Sequence, residues 1–286
     1  MIFNRKTLHL SYLEKIAVRV RHLPMLCKLK WLWNSVRPIY ELTLKLFYRK
    51  GFLRSINDIG EIYISYECRK LGSPPAHELK WWERLIHEVK EGDTIVDIGA
   101  YIGLLTIMMA KKIGNTGKVI AFEPNPHNLA LLKKNIKLNE VDEQTEVYDI
   151  ALSAGNQPLT LTDEGPISHI IASTIPYNAG FFTVKSKSLD EIFHNGEIDI
   201  LKIDTEGYEV NVFSGAKNLL KRKEGYPRFI FIECHPYMWK EFGVIGKTLE
   251  TLLQQSGYTL EMPPLPDNNK LDDIKHHWVI FASKHK

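Results

Sequence analysis

The sequence predicts an α/β fold, an open and mostly parallel β-sheet flanked by helices. Three observations carry that expectation. A short β-branched run, Thr94-Ile95-Val96-Asp97-Ile98, passes through a turn from Gly99 to Gly103 into an apolar stretch from Leu104 to Ala110. That is the pattern of a strand covered on both faces and followed by a crossover helix. Strand-then-helix alternation recurs downstream, and consecutive βα units dictate right-handed crossovers and parallel pairing. Acids close successive predicted strands at Asp97, Glu123, Asp149, Asp204 and Glu233, the end at which an open α/β sheet binds ligands.

In order, the chain begins with a basic arm. Residues 1–54 carry twelve Lys/Arg against Glu14 and Glu41, a net of +10. The remainder carries 25 against 32, a net of −7. Within the arm, Leu29 to Tyr48 interleaves Trp31, Trp33, Tyr40 and Phe47 with Lys and Arg at roughly helical intervals, interrupted at Pro38. Three readings of residues 1–50 stay open: a helical cap on the main domain, a peripheral helix on an anionic membrane, or a contact with an acidic partner or nucleic acid. Gly51 to Tyr66 has the form of a β-hairpin turning at Asn57-Asp58-Ile59-Gly60, with Ile62 and Ile64 inward. Ser73-Pro74-Pro75 breaks the chain, which divides a helical and hairpin extension (1–74) from the main domain (75–286). A helix from His77 to Lys90 presents Trp81, Leu85, Ile86 and Val89 on one face, and Gly92 ends it before the key strand.

The second strand, Lys118 to Phe122, ends in Glu123-Pro124-Asn125-Pro126, where Asn125 suits an N-cap and Pro126 a first helical turn. The helix runs to Asn139, and the third strand covers Thr145 to Tyr148. Strands Pro158 to Leu161 and Phe181 to Lys185 flank loop 163–180, whose length points to a cover over a substrate or to simple disorder. A short helix, Ser188 to His194, precedes the fourth core strand, Ile198 to Ile203. A helix to Leu220, a fifth strand from Arg228 to Ile232, helix 246–255 and strands Tyr258 to Met262 and Trp278 to Ser283 complete the chain. Cys27, Cys68 and Cys234 are odd in number, far apart and without metal spacing. They argue against a disulfide framework or zinc site and for a reducing, cytoplasmic compartment. Charges interrupt the N-terminus where a secretory signal would be apolar, and no apolar run approaches the length of a membrane span.

The first turn, Asp97-x-Gly99-x-x-x-Gly103, lacks the middle glycine of a dinucleotide-binding G-x-G-x-x-G turn, which disfavours a nicotinamide-dependent oxidoreductase. An acid ahead of the first glycine argues against a phosphate neighbour and for a cationic one. S-adenosylmethionine carries both a sulfonium and an ammonium. On that reading the glycines let backbone approach the ligand, Asp97 faces the methionine end, Glu123 takes the ribose hydroxyls, and Asp149 lies by the adenine amino group. Any one of these acids can equally cap the next helix; collected together they need a ligand.

Five separated motifs appear in order: Val96 to Gly103, Ala121 to Pro126, Ala151-Leu152-Ser153, Leu201 to Gly207, and Ile232 to Pro236. Through them the chain, over about residues 75–283, resembles the FkbM family of S-adenosylmethionine-dependent methyltransferases. The family usually has Asn where this chain has Tyr101. The resemblance implies a class I methyltransferase (Rossmann-like) three-layer sandwich with a seven-stranded, mostly parallel sheet whose last strand, here Trp278 to Ser283, is antiparallel. It implies O-methylation, often of sugars or natural products. The expected cofactor contacts are Asp97, Ile98, Gly99, Ala100, Tyr101 and Gly103 in the first turn, Glu123, Pro124 and Asn125 in the second, and Asp149 and Ile150 in the third.

O-methylation requires a hydroxyl oxygen in line with the S–CH3 bond and a route for its proton. Lys202, Asp204 and Glu206 share a face if the strand persists that far. Asp204 or Glu206 is a candidate base, and His235 another. With Glu233 the acids can instead hold a divalent cation that acidifies the hydroxyl; no residue is assigned to a metal. Hairpin 51–66 and loop 163–180 are expected to frame the acceptor, with Tyr66, His169 and Tyr177 as stacking candidates. The acceptor class is a glycan, lipid-linked sugar or small metabolite. RNA ribose methylation is the second reading, although an acidic main domain argues against nucleic acid. A non-catalytic cofactor-binding scaffold is the third. Oligomeric state is left unassigned.

Overall fold

A computed structural model describes residues 30–71, 78–164, 168–171, 180–265 and 270–284, together with Ile16 and Arg19. The expectations placed on Ser73-Pro74-Pro75, Cys27 and Tyr177 lie outside the described residues. The chain runs through helix α1 (Lys30–Phe47), a hairpin of β1 (Phe52–Ile56) and β2 (Gly60–Ile64), and helix α2 (Leu79–Glu88). The first βαβαβ unit is β3 (Thr94–Ile98), α3 (Leu104–Ile113), β4 (Lys118–Phe122), α4 (Pro126–Leu138) and β5 (Thr145–Tyr148). Five short strands follow: β6 (Ala151–Leu152), β7 (Leu159–Thr162), β8 (Ile170–Ile171), β9 (Phe181–Val184) and β10 (Ser186–Lys187). Then come α5 (Leu189–Ile192), β11 (Ile200–Asp204), α6 (Glu209–Ser214), α7 (Lys217–Lys221), β12 (Phe229–Cys234) and α8 (Pro236–Trp239). The chain closes with α9 (Gly246–Gln255), β13 (Thr259–Glu261) and β14 (Trp278–Ser283).

Seven strands form one sheet in the order β13-β14-β12-β11-β3-β4-β5. Pairing is parallel from β12 through to β5, and β14 runs antiparallel to both its neighbours. The chain builds outward from β3 to β5, then returns to build the other way from β11. The crevice between β3 and β11 is therefore the topological switch point, where this class of sheet binds ligands. Alternation along β3 makes three layers: Ile95 packs with the apolar faces of α2, α3 and the hairpin, while Val96 and Ile98 pack with residues of α6 and α9.

Local chemistry fixes the helix starts. The Asn125 side chain accepts from the N–H groups of His127 and Asn128, ahead of Pro126 at the first helical position. Ser188 does the same for Glu191. The hairpin is sealed to the main body at its edge: Asn139 bonds both backbone groups of Tyr63, and Asn135 accepts the Ser65 N–H.

Several expectations need correction. Pro38 does not interrupt α1; Pro38 and Asn34 are both exposed, so the carbonyl that loses its partner meets water. The helix after Gly207 breaks into α6 and α7 around Gly215, which lies against the backbone of Ser153, 2.1 Å from where a Cβ would sit. On α2 it is Trp82 that is buried, while half-buried Trp81 packs at a tilt against Phe281, ring centres 5.8 Å apart. The period-two face proposed for Lys202, Asp204 and Glu206 ends at Asp204, because Glu206 has a left-handed backbone (φ 51°). No helix among the described residues is long and apolar enough to cross a membrane.

Candidate active site

A cavity of about 330 Å3 opens at the switch point. One wall comes from the turn after β3, with Ile98, Gly99 and Tyr101, and from the end of β4, with Glu123 and Pro124. Beside it the lining continues with Asp204, Thr205 and Glu206 from the end of β11 and Glu233 from β12. Ile150 and Leu161 add an apolar side, and Leu71, Glu78 and Trp82 form a lip. His169, Ser168 and Ile170 close over it from the β7–β8 connection.

The first wall is a cradle with no slack. A Cβ on Gly99 would lie 1.7 Å from the Asp204 carbonyl oxygen, and its φ is +75°. Glu123 is held by two backbone donors: Tyr101 N–H at 2.8 Å and Asn125 N–H at 2.9 Å. Burial raises its pKa to about 7 against those hydrogen bonds, so it gains from further hydroxyl donors. Asn128 Oδ1, buried on the same wall, has no hydrogen-bond partner among the described residues. A vicinal diol beside a carboxylate, with a donor for Asn128, is what S-adenosylmethionine offers, and the cradle fits it. Tyr101 takes a left-handed backbone (φ 53°), a conformation that Asn, the family's usual residue there, adopts more easily.

Beneath the cavity lies a buried ion network. Lys202 and Asp97 are register partners on adjacent strands. Lys202 Nζ sits 3.1 Å from Asp97 and 3.8 Å from Asp204, and it donates to the Gly99 carbonyl at 2.8 Å. Thr106 donates to Asp97 at 2.6 Å. Burial opposes the ammonium, but Asp97 and Asp204 win and hold its pKa above the ordinary value. The structure thus places Asp97 and Lys202 in the floor, bracing the glycine turn, rather than on the cavity surface.

Four carboxylates crowd the second wall and lip. Burial raises Asp204, Glu206 and Glu233, the last with help from Asp204 and Glu78. Burial, then Asp204 and Glu206, pushes Glu78 up to about 7. Behind them Glu209, fully buried, accepts from His235 Nδ1 at 3.0 Å, Trp239 Nε1 at 2.8 Å and Gly207 N–H at 2.8 Å. His235 Nε2 faces Glu206 at 3.4 Å. Burial opposes its charge, yet Glu209, Glu206 and Asp204 drive the His235 pKa up to about 10. The surrounding acids thus favour its protonated form. Among the described residues, Asp204, Glu206 and His235 present ligand atoms within 4.8 Å of one another, as do Glu78, Glu233 and His277.

Of the residues singled out from sequence, Ile98, Gly99, Tyr101, Glu123, Pro124, Ile150, Asp204, Glu206 and Glu233 meet in the cavity. Ala100 and Gly103 support the turn, Asn125 caps α4, and Asp149 is exposed at the sheet end. Hairpin 51–66 does not line the cavity: Tyr66 lies beneath the Arg69 guanidinium, 4.2 Å from its ring centre. Its place is taken by Leu71, Glu78 and Trp82. Glu78, Asn128 and Glu209 were not singled out from the sequence. For Glu209 a signal existed: an acid between Tyr208 and Val210 at the head of an apolar run.

Comparisons with known proteins find two curated relatives and a solved structure to which the chain is similar. Hexuronic acid methyltransferase AglP of Haloferax volcanii is 27% identical over 187 residues, 63% of this chain and 70% of the relative. A tRNA (adenine-N1)-methyltransferase, TrmI of Methanocaldococcus jannaschii, is 27% identical over 169 residues, and the match spans about half of it (52%). The crystal structure of methyltransferase FkbM from Methylobacillus flagellatus superposes with a TM-score of 0.42 at 16% identity, covering 87% of this chain and 60% of that one. The Methyltransferase FkbM domain itself matches residues 97–260. That stretch begins at the acid of the glycine turn and takes in both cavity walls from there to β13, and on it the chain belongs to the FkbM family of S-adenosylmethionine-dependent methyltransferases.

Proposed function

We propose that the protein transfers the methyl group of S-adenosylmethionine to a hydroxyl of a glycan, a lipid-linked sugar or a small metabolite. The observation that carries this reading is the set of raised-pKa carboxylates, Asp204, Glu206 and Glu233, lining the same cavity as the Gly99–Glu123 cradle. The cofactor, when bound, supplies an electrophilic methyl on a sulfonium. Glu123 and Asn128 would hold its ribose, and Ile150 and Leu161 would cover the apolar face of the adenine. A hydroxyl acceptor needs a group that takes its proton as the oxygen attacks. Asp204 and Glu206 are that group: their burial makes them better bases than a solvated carboxylate. His235 holds Glu206 in place, and Glu209 holds His235. That His169 and Trp82 line the same cavity supports a role for both in bounding the acceptor.

The name of the AglP relative supports a sugar acceptor. RNA methylation is the second reading, favoured by the TrmI relative and by the basic arm. Four carboxylates at the cavity oppose a phosphate backbone. Residues 1–50 are the candidate membrane contact that would bring a lipid-linked acceptor within reach.

The test is transfer of labelled methyl to a panel of free sugars, polyprenyl-linked sugars, small alcohols and tRNA, with and without a chelator. The expected result is label on a hydroxyl acceptor, reduced about a hundredfold or more in Glu206→Gln or Asp204→Asn with cofactor affinity retained. Label in tRNA alone, or cofactor binding with no turnover anywhere on the panel, overturns it.

A further inference from the structure

Helix α1 has two faces with different fates. The inner face docks: Leu44 is buried, Glu41 pairs with Arg69 at 2.6 Å, and Tyr48, just past the helix, stacks on Phe52 with ring centres 4.3 Å apart. The outer face is apolar and exposed. Ile39, Leu42 and Leu46 follow the i, i+3, i+7 spacing of one stripe, and Trp31 extends it by two turns towards the N-terminus. Their exposures are 67, 58, 57 and 67% respectively, and Val36 and Phe47 lie alongside, also exposed. A stripe of this length is not what a merely capping helix presents to water. Lys45, Arg49 and Lys50 stand exposed at its C-terminal end, and the arm to which it belongs carries a net of +10 on a body of net −7.

We propose that the outer face of α1 is the docking surface for an anionic lipid bilayer. Trp31, Ile39, Leu42 and Leu46 enter the headgroup boundary, and the flanking Lys and Arg pair with acidic headgroups. The opposite sign of the main domain keeps that body off the same surface, so α1 sets the orientation. The anchor of α1 is Arg69, two residues before Leu71 on the cavity lip. Docking therefore fixes the lip relative to the lipid surface. This rests on, and sharpens, the reading of a lipid-linked hydroxyl acceptor by naming the face that meets its membrane.

The experiment is co-sedimentation of the full chain with phosphatidylglycerol/phosphatidylcholine vesicles and with phosphatidylcholine vesicles alone, with Leu42→Glu/Leu46→Glu beside the wild type. Both positions face outward, and cofactor affinity of the variant reports its fold. The expected result is preference for the anionic vesicles, weakened severalfold between about 0.1 and about 0.5 M NaCl and reduced about tenfold or more by the double substitution. Equal partitioning of variant and wild type, or no binding to anionic vesicles, overturns the proposal. So does a concentration-dependent dimer that the same double substitution dissolves, since the face would then belong to a second copy. Lipid binding without methyl transfer to any hydroxyl leaves the docking face standing and removes the acceptor reading instead.

Discussion

Substituting Gly99 by Ala strains the switch point directly. The added Cβ would lie 1.7 Å from the Asp204 carbonyl oxygen, where ordinary contact begins at 3.4 Å. The difference requires β3 and β11 to part by roughly 1.7 Å at their ligand-binding ends. Nothing nearby can give. The Gly99 N–H donates to the Phe122 carbonyl at 3.0 Å, and the Gly99 carbonyl accepts from buried Lys202 at 2.8 Å. Forcing a Cβ into a left-handed backbone costs about 1–2 kcal/mol, and overpacking adds about 1–3 kcal/mol. The sum, roughly 2–5 kcal/mol, corresponds to a fall in Tm of roughly 3–8 °C for a chain of this size. Cofactor affinity should fall about tenfold or more, because the same displacement moves one cavity wall from the other. Gly155→Ala is the control: a Cβ there meets nothing within 4 Å and its φ is unexceptional. Thermal unfolding and calorimetric titration of both variants give the answer. A Gly99→Ala protein that matched Gly155→Ala in Tm and in cofactor affinity would refute the claim that this turn is built around the close approach.

Two further outcomes follow from the ion networks. The folded-state pKa of His235 is raised from 6.5 to about 10, so its contribution is fully present below pH 6.5 and lost as pH rises through about 10. The raised Asp204, Glu206 and Glu233 act in the same direction. Tm should therefore decline between pH 6.5 and 10, and Glu209→Gln, which removes the largest support of the imidazolium, should flatten that slope; a slope unchanged in the variant contradicts the assignment. Lys202→Met leaves Asp97 buried with Thr106 as its one side-chain partner among the described residues and should cost about 3–5 kcal/mol, with much of the loss recovered in Lys202→Met/Asp97→Asn. Denaturant unfolding checks this, and additive losses in the pair would show the two side chains uncoupled.

The sheet was legible where chemistry is local. β-branched runs marked β3, β4, β11 and β12, Asn125-Pro126 marked the start of α4, and the strand-end acids marked the binding edge. The two-residue strands β6, β8 and β10 were not legible, because so short a pairing is specified by its partner and not by its own residues. The break between α6 and α7 was hidden for the same reason: the close approach of Gly215 to Ser153 is a tertiary fact. At the site, the sequence named the acids but could not sort them. Asp97 became part of the floor because its register partner is Lys202, while Asp204 and Glu233, register partners one strand over, came to the cavity wall. Burial also separated the roles of the histidine and the carboxylates. Hydrogen bonding to Glu209 favours the protonated form of His235, a candidate base in the sequence, and that neighbour sits 26 positions upstream.

The central claim, that the Gly99–Glu123 wall binds S-adenosylmethionine through a carboxylate held by two backbone donors, is tested most directly by calorimetric titration. The wild type and Glu123→Ala are titrated with S-adenosylmethionine, its demethylated product and NAD. The account predicts micromolar-range binding of the first two to the wild type (Kd on the order of 1–100 μM), loss of both in the variant, and no binding of NAD. A folded wild-type protein that bound neither adenosyl ligand, or a Glu123→Ala protein that bound them unchanged, would contradict it.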